Sequence, residues 1–108
     1  MFFDTQALTR IVERSFDLSM SGALPPEVRA EYLDHGKRLR ELLIRALGAR
    51  FDAASVEFQQ ATTALAETNK ALADAANNLE KVSQVVGRLG ELAGYLDKAI
   101  RVASKVIA

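Results

Sequence analysis

The sequence predicts an all-α fold, a helical bundle with coiled-coil-like packing in its C-terminal half. Three observations lead to this prediction. Alanine is abundant, tryptophan is absent, and the only two prolines are adjacent to each other, a composition that favours helices over strands. Apolar residues recur at helical spacing throughout the chain. From residue 51 they follow a heptad repeat almost to the C-terminus. Because the chain has 108 residues, we expect it to form one domain, residues 1–108.

The first predicted helix covers residues 4–20, and the second covers residues 25–48. Asp4 is suited to cap the first helix, because its side chain can accept a hydrogen bond from a free backbone amide. The adjacent prolines, Pro25 and Pro26, end the first helix but are tolerated in the first turn of the second. Gly48 suits the end of the second helix.

The third predicted element covers residues 51–107 and carries a seam, defined as heptad positions a and d with Phe51 at a. Every seam position is apolar except Thr68. The a positions are Phe51, Phe58, Leu65, Leu72, Leu79, Val86, Ala93, Ile100 and Ile107. The d positions are Ala54, Ala61, Thr68, Ala75, Val82, Leu89, Leu96 and Ala103. This repeat predicts that one face packs against other helices along the whole element.

Two arrangements of residues 51–107 are compatible with the seam. One continuous helix would be about 85 Å long, so the first two helices could not cover it and a second chain would be required. A break near Asn77-Asn78 or near Gly87–Gly90 would instead give a hairpin and a compact bundle. The unbroken heptad phase favours the continuous helix in an oligomer, whereas the change of charge sign near residue 80 and the three glycines favour a hairpin or an antiparallel dimer. The continuous helix is slightly preferred, and the hairpin is the alternative.

The charges are balanced, with Lys+Arg 14 and Asp+Glu 14, so nothing global attracts nucleic acid or an anionic membrane. Their sign alternates along the chain: residues 4–27 and 51–80 are net acidic, and residues 29–50 and 81–108 are net basic. We therefore expect antiparallel neighbours to carry complementary charge. The basic cluster in residues 37–50 is interrupted by acidic side chains, so we do not expect nucleic-acid binding.

The chain has few residues that could perform chemistry. It contains no cysteine and a single histidine, His35. Glu31 precedes His35 by one helical turn, a spacing that we interpret as a solvated face with local ion pairs and not as a metal site. Paired carboxylates at helical spacing are interpreted as surface acids. We expect no enzymatic activity, cofactor, metal or small-molecule substrate.

Three glycines occur in the stretch VVGRLGELAGY, at Gly87, Gly90 and Gly94. Each costs a helix roughly 1 kcal/mol relative to alanine. In the heptad frame they flank the seam without interrupting it. We therefore predict a helix that is locally thin, so that another chain or the protein's own N-terminal helix packs closely against its side.

These observations predict a non-enzymatic protein–protein interaction module, such as an adaptor, a small chaperone or an inhibitor of a protein target, that self-associates as a dimer through residues 51–107. The predicted contact residues are Phe51, Phe58, Leu65, Leu72, Leu79, Val86, Gly87, Leu89, Gly90, Gly94, Leu96 and Ile100. The alternative is a peripheral membrane protein that uses the basic amphipathic segment 88–108. No secretory signal or membrane-spanning stretch is apparent, so we expect a cytoplasmic location, with signal-less export as the remaining route.

Overall fold

The described part of the chain consists of four α-helices and contains no strand. The computed structural model describes the backbone of residues 3–107 and the side chains of residues 3–103. The helices are α1 (Thr5–Ser19), α2 (Pro26–Leu47), α3 (Val56–Ala75) and α4 (Leu79–Ile107). The all-α prediction is confirmed, and the first two helices lie close to their predicted bounds. Coiled-coil packing in the strict sense stays a prediction.

Polar side chains fix where α1, α3 and α4 begin, because each accepts a hydrogen bond from an otherwise free backbone amide. The Asp4 carboxylate accepts from the Ala7 amide at 3.0 Å and starts α1. The Ser55 hydroxyl accepts from the amide of Phe58 and starts α3. Helix α2 begins instead at the proline pair, which needs no side-chain cap.

The prediction of one continuous helix over residues 51–107 is wrong. The third helix begins only at Val56 and ends at Ala75, and residues 76–78 connect it to α4. Ala76 has φ 44° and ψ −115°, values that no α-helix contains. The amide of Asn78 donates to the carbonyl oxygen of Ala75 at 2.8 Å and closes the turn. The Asn78 side chain then accepts from the Lys81 amide, which caps α4.

The helices surround the core in the order α1, α2, α4, α3. Within the described residues no Cα atom of α1 lies within 8 Å of one in α4, and the same holds for α2 and α3, so these pairs lie diagonally opposite each other. Helices α1 and α3 run parallel, since Phe3 lies beside Phe58 while Arg14 reaches Ala76. Helices that follow each other through short turns, α1 with α2 and α3 with α4, run antiparallel. The α2–α3 connection, residues 48–55, therefore crosses the bundle diagonally.

The charge expectation concerned antiparallel neighbours, and one observed ion pair agrees with it. Arg88 of α4 pairs with Glu67 of α3 across antiparallel neighbours. However, α2 and α4 are parallel neighbours, and they come from the two net basic segments. Asp97 of α4 lies between them and pairs with Arg45 of α2 and Arg101 of its own helix. This carboxylate reduces the repulsion between the two basic helices.

Aromatic side chains close the end of the core at which α1 and α3 begin. The rings of Phe3, Phe51 and Phe58 lie with centroids 5.3 to 6.4 Å apart. Phe51 was predicted to lie in a helix, but it belongs to the α2–α3 connection, where its ring is nevertheless buried. Burial of an aromatic ring stabilises this connection in spite of its irregular backbone.

Candidate functional site

The predicted contact residues of the seam lie in the core of the single chain. Their side chains pack against the other helices of the same molecule, so they are not available at its surface. A partner could reach them only if the bundle opened. The buried residues of the predicted set are Phe51, Phe58, Leu65, Leu72, Val86, Leu89, Leu96 and Ile100.

Two seam positions differ from the rest. Leu79 is 47% exposed, because it is the first residue of α4 and precedes the part of that helix that other helices cover. Ala54 is exposed in the α2–α3 connection. The side chain of Ile107 lies outside the described side chains. The seam therefore serves mainly as the internal face of α3 and α4.

The three glycines of α4 do not form one surface. A Cβ atom added at Gly90 would lie 3.1 Å from Cε1 of His35, so this glycine permits close packing against α2. This neighbour belongs to the second helix and not to the N-terminal helix. Cβ atoms added at Gly87 or Gly94 would meet no atom within 4 Å. Neither of these two glycines is required for packing within the chain.

The apolar stripe of segment 88–108 also faces inward. Leu92, Leu96, Ile100 and Ala103 are each at most 2% exposed. The residues that follow Ala103 lie outside the described side chains. A membrane surface could contact this stripe only after α4 separated from the bundle. No helix within residues 3–107 is long and apolar enough to cross a membrane.

The described residues offer no arrangement typical of a catalytic or metal site. They contain no group of three or more histidine, cysteine, aspartate or glutamate side chains placed to hold a metal ion. His35 packs against Gly90. Burial raises the pKa of the Tyr32 phenol to about 12, with the Arg14 charge lowering and the Glu31 charge raising it. This phenol stays protonated at neutral pH and serves as a structural hydrogen-bond donor.

A groove with a volume of about 470 Å³ lies between α3 and α4. Ala64 and the buried Thr68 contribute to its lining from α3. The α3 wall is formed by residues at spacing i, i+3, i+4, i+7 and i+11, and the α4 wall by residues at i, i+3 and i+7. These wall residues are Val56, Gln59, Gln60, Thr63 and Glu67 on α3, and Arg88, Glu91 and Tyr95 on α4.

The two ends of the groove differ in chemistry. At one end Val56 is 63% exposed and Tyr95 is 37% exposed, so apolar surface faces solvent. At the other end the Arg88 guanidinium lies 3.8 Å from the Glu67 carboxylate, and both side chains are about half exposed. Such an exposed pair contributes little to folding stability, about 0 to 1 kcal/mol. Its charges are therefore available to a partner.

The middle of the α3 wall carries no charge. Residues 58–66, FQQATTALA, contain no ionisable side chain, although they include exposed positions such as Gln59 and Gln60. Solvent-facing helix surfaces are usually charged, and α2 shows the usual pattern. The centres of protein–protein interfaces are depleted of charge. The composition of this wall thus resembles an interface more than a solvated face.

The groove was not predicted from the sequence. Its wall residues are mostly polar and occupy heptad positions outside the seam, where the pattern indicates contact with water. Val56, an apolar exception on that side, and the uncharged stretch 58–66 were the available signals. The groove arises only when α3 and α4 fold against each other, an arrangement that the heptad pattern does not specify.

The chain matches no protein-family model, no curated protein and no solved structure. The functional argument therefore rests on the geometry and chemistry of the chain itself.

Proposed function

We propose that the protein is a non-enzymatic helical protein–protein interaction module whose contact surface is the groove between α3 and α4. The observation that supports this most directly is the groove itself, with about 470 Å³ of volume, an exposed apolar end and an uncharged central wall. An adaptor, a small chaperone and an inhibitor of a protein target all work through such a surface. We propose the cytoplasm as the site of action.

The dimensions of the groove suit a helical element of a protein partner. From Val56 to Glu67 its α3 wall spans three helical turns, about 17 Å. A helix that docks into a groove presents anchors at spacing i, i+3, i+4 and i+7 over a similar length. One end of the groove carries the exposed ion pair of Arg88 and Glu67, and the other end carries exposed apolar surface. This difference gives a docked helix a preferred direction.

Site-specific photo-crosslinking tests the proposal. A benzophenone amino acid replaces Gln60 on the groove wall in one variant and Lys37 on the outer surface of α2 in the control. We expect irradiation of cells that produce the full chain to give a discrete protein adduct from position 60 and none from position 37. Equal adducts from both positions, or none from position 60, would contradict the proposal.

A further inference from the structure

We propose that the partner is a second copy of this chain, related to the first by a two-fold axis that runs parallel to α3 and α4, so that its own α3 and α4 contact the two groove walls in place of a single helix docked between them. This inference rests on the proposed function and specifies its partner. In this arrangement α4 of each copy faces α3 of the other, and two bundles join through one continuous surface.

The walls of the groove complement each other at both ends. Arg88 on the α4 wall lies beside Glu67 on the α3 wall, and Tyr95 on the α4 wall lies at the same end as Val56 on the α3 wall. The two walls therefore carry opposite charge at one end and apolar side chains at the other. The pattern follows from the antiparallel packing of α3 and α4, which places the start of α3 near the middle and end of α4.

A two-fold axis along the groove exchanges the walls without changing height. Arg88 of one copy then faces Glu67 of the second copy, and the reverse pair forms at the same height. The Tyr95 end of each α4 likewise faces the Val56 end of the opposite α3. A two-fold interface requires a self-complementary patch, in which each contact occurs twice. The chemistry of the two walls meets this requirement.

The charge of the surface favours a second copy over a strongly acidic or basic partner. The groove exposes two acidic side chains, Glu67 and Glu91, and the basic Arg88, so neither sign dominates. The chain has formal net charge +0, and two copies do not repel each other at long range. The uncharged stretch 58–66 lies where the interface centre would be.

The α3–α4 face is comparable in area with a standard dimer interface. Helix α3 is about 30 Å long, and two adjacent helices are about 20 Å wide, which gives a flat area of about 600 Å². The accessible area is larger, because side chains project from this surface. A standard interface uses about 800 Å² of each partner, about an eighth of the 6366 Å² that this chain exposes.

Charge reversal tests the geometry. In a dimer of Arg88→Glu, positions 67 and 88 of the two copies would bring four carboxylates together. In a dimer of Glu67→Arg, the same positions would bring four guanidinium groups together. Each variant alone should therefore weaken dimerisation by roughly 100-fold. A mixture of the two variants restores both cross-pairs, so equal amounts should form a heterodimer. The measurement is sedimentation equilibrium of wild type, each variant and the mixture, and Lys37→Glu, on the outer surface of α2, is the charge-reversal control.

Thermal unfolding shows that each variant is folded, and the loss of an exposed ion pair should leave that transition nearly unchanged. A wild-type dimer, weaker single variants and a heterodimer in the mixture support the proposal. A monomeric wild type, single variants as dimeric as wild type, or a mixture without heterodimers would overturn it. The crosslinking experiment separates the two ideas: an adduct of twice 11.8 kDa contains a second copy, and any other adduct supports only the proposed function.

Discussion

The hydroxyl of Tyr32 in α2 donates a hydrogen bond to the carbonyl oxygen of Val82 in α4, over 2.5 Å in the interior of the bundle. Tyr32 is fully buried, and Val82 is nearly so. Parallel neighbours have no short turn to hold them in register. This bond and the Arg45–Asp97 pair link α2 to α4 at two separate heights. They position the helix that forms one wall of the groove.

Tyr32→Phe should lower the free energy of unfolding by about 1 to 2 kcal/mol. The substitution removes the hydrogen bond but keeps the ring, so the loss reflects a buried carbonyl oxygen with one partner fewer. Chemical denaturation measures the effect, and Tyr95→Phe is the matched control, because Tyr95 is partly exposed. An equal loss in both variants would show that the buried bond contributes nothing specific.

The same phenol predicts a loss of stability at high pH. Its pKa is raised from 10.0 to about 12 in the folded chain, so the folded state retains a proton that the unfolded state releases. The stabilisation that comes from this bound proton is complete below pH 10. As the pH rises towards 12, the free energy of unfolding falls by roughly 2 to 3 kcal/mol. Comparing wild type with Tyr32→Phe across this range isolates the contribution from other titrating groups. Parallel pH profiles for the two proteins would contradict it.

Ala76→Gly should stabilise the chain by about 1 kcal/mol. Ala76 is in the left-handed region at φ 44°, where an alanine side chain is strained and glycine is not. The free energy gained by relieving this strain exceeds the free-energy cost of the greater conformational entropy that glycine loses on folding. Thermal unfolding gives the measurement, and Ala73→Gly, at an exposed position inside α3, is the control. The control should lose about 1 kcal/mol. A loss in both variants would mean that the turn at Ala76 is wrongly placed.

Replacing the three glycines of α4 by alanine, one at a time, should change the stability of the protein by different amounts. Gly87→Ala and Gly94→Ala should each stabilise the protein by up to about 1 kcal/mol, because helix propensity improves and the new Cβ meets open space. Gly90→Ala gains the same propensity, but its Cβ would lie 3.1 Å from Cε1 of His35. It should therefore gain less or lose stability. Equal gains at all three positions, measured by thermal unfolding, would show that His35 moves aside freely.

The heptad pattern predicted which face of residues 56–103 is buried, and the burial of Phe58, Leu65, Leu89 and Leu96 follows it. It could not predict what covers that face, because the same pattern suits packing against another chain or within one. A break near Asn77-Asn78 was one of the two positions considered, but the sequence did not select it over a continuous helix. Alanine is the best helix former, so nothing at Ala76 indicates a positive φ. The Asn77-Asn78 pair and the change of charge sign near residue 80 were the signals for a break in this region.

The groove depends on the pairing of two helices that are remote along the sequence for most of their length. Arg88 and Glu67 form an ion pair although they are neighbours only across the α3–α4 packing. Helical periodicity relates residues three and four apart and contains no information about such a pair. The uncharged stretch 58–66 is visible in the sequence, but its exposed location is a result of the fold.

The central claim is that α3 and α4 fold back on each other within one chain and so create the groove. Spin labels at Thr63→Cys and Glu91→Cys test it directly, since both positions line the groove and the chain contains no other cysteine. Electron paramagnetic resonance, with an excess of unlabelled protein, then measures the distance within single chains. We expect a separation below about 20 Å, because packed helix axes lie 8 to 10 Å apart. A separation of about 42 Å, the length of one continuous helix between these positions, would contradict the account.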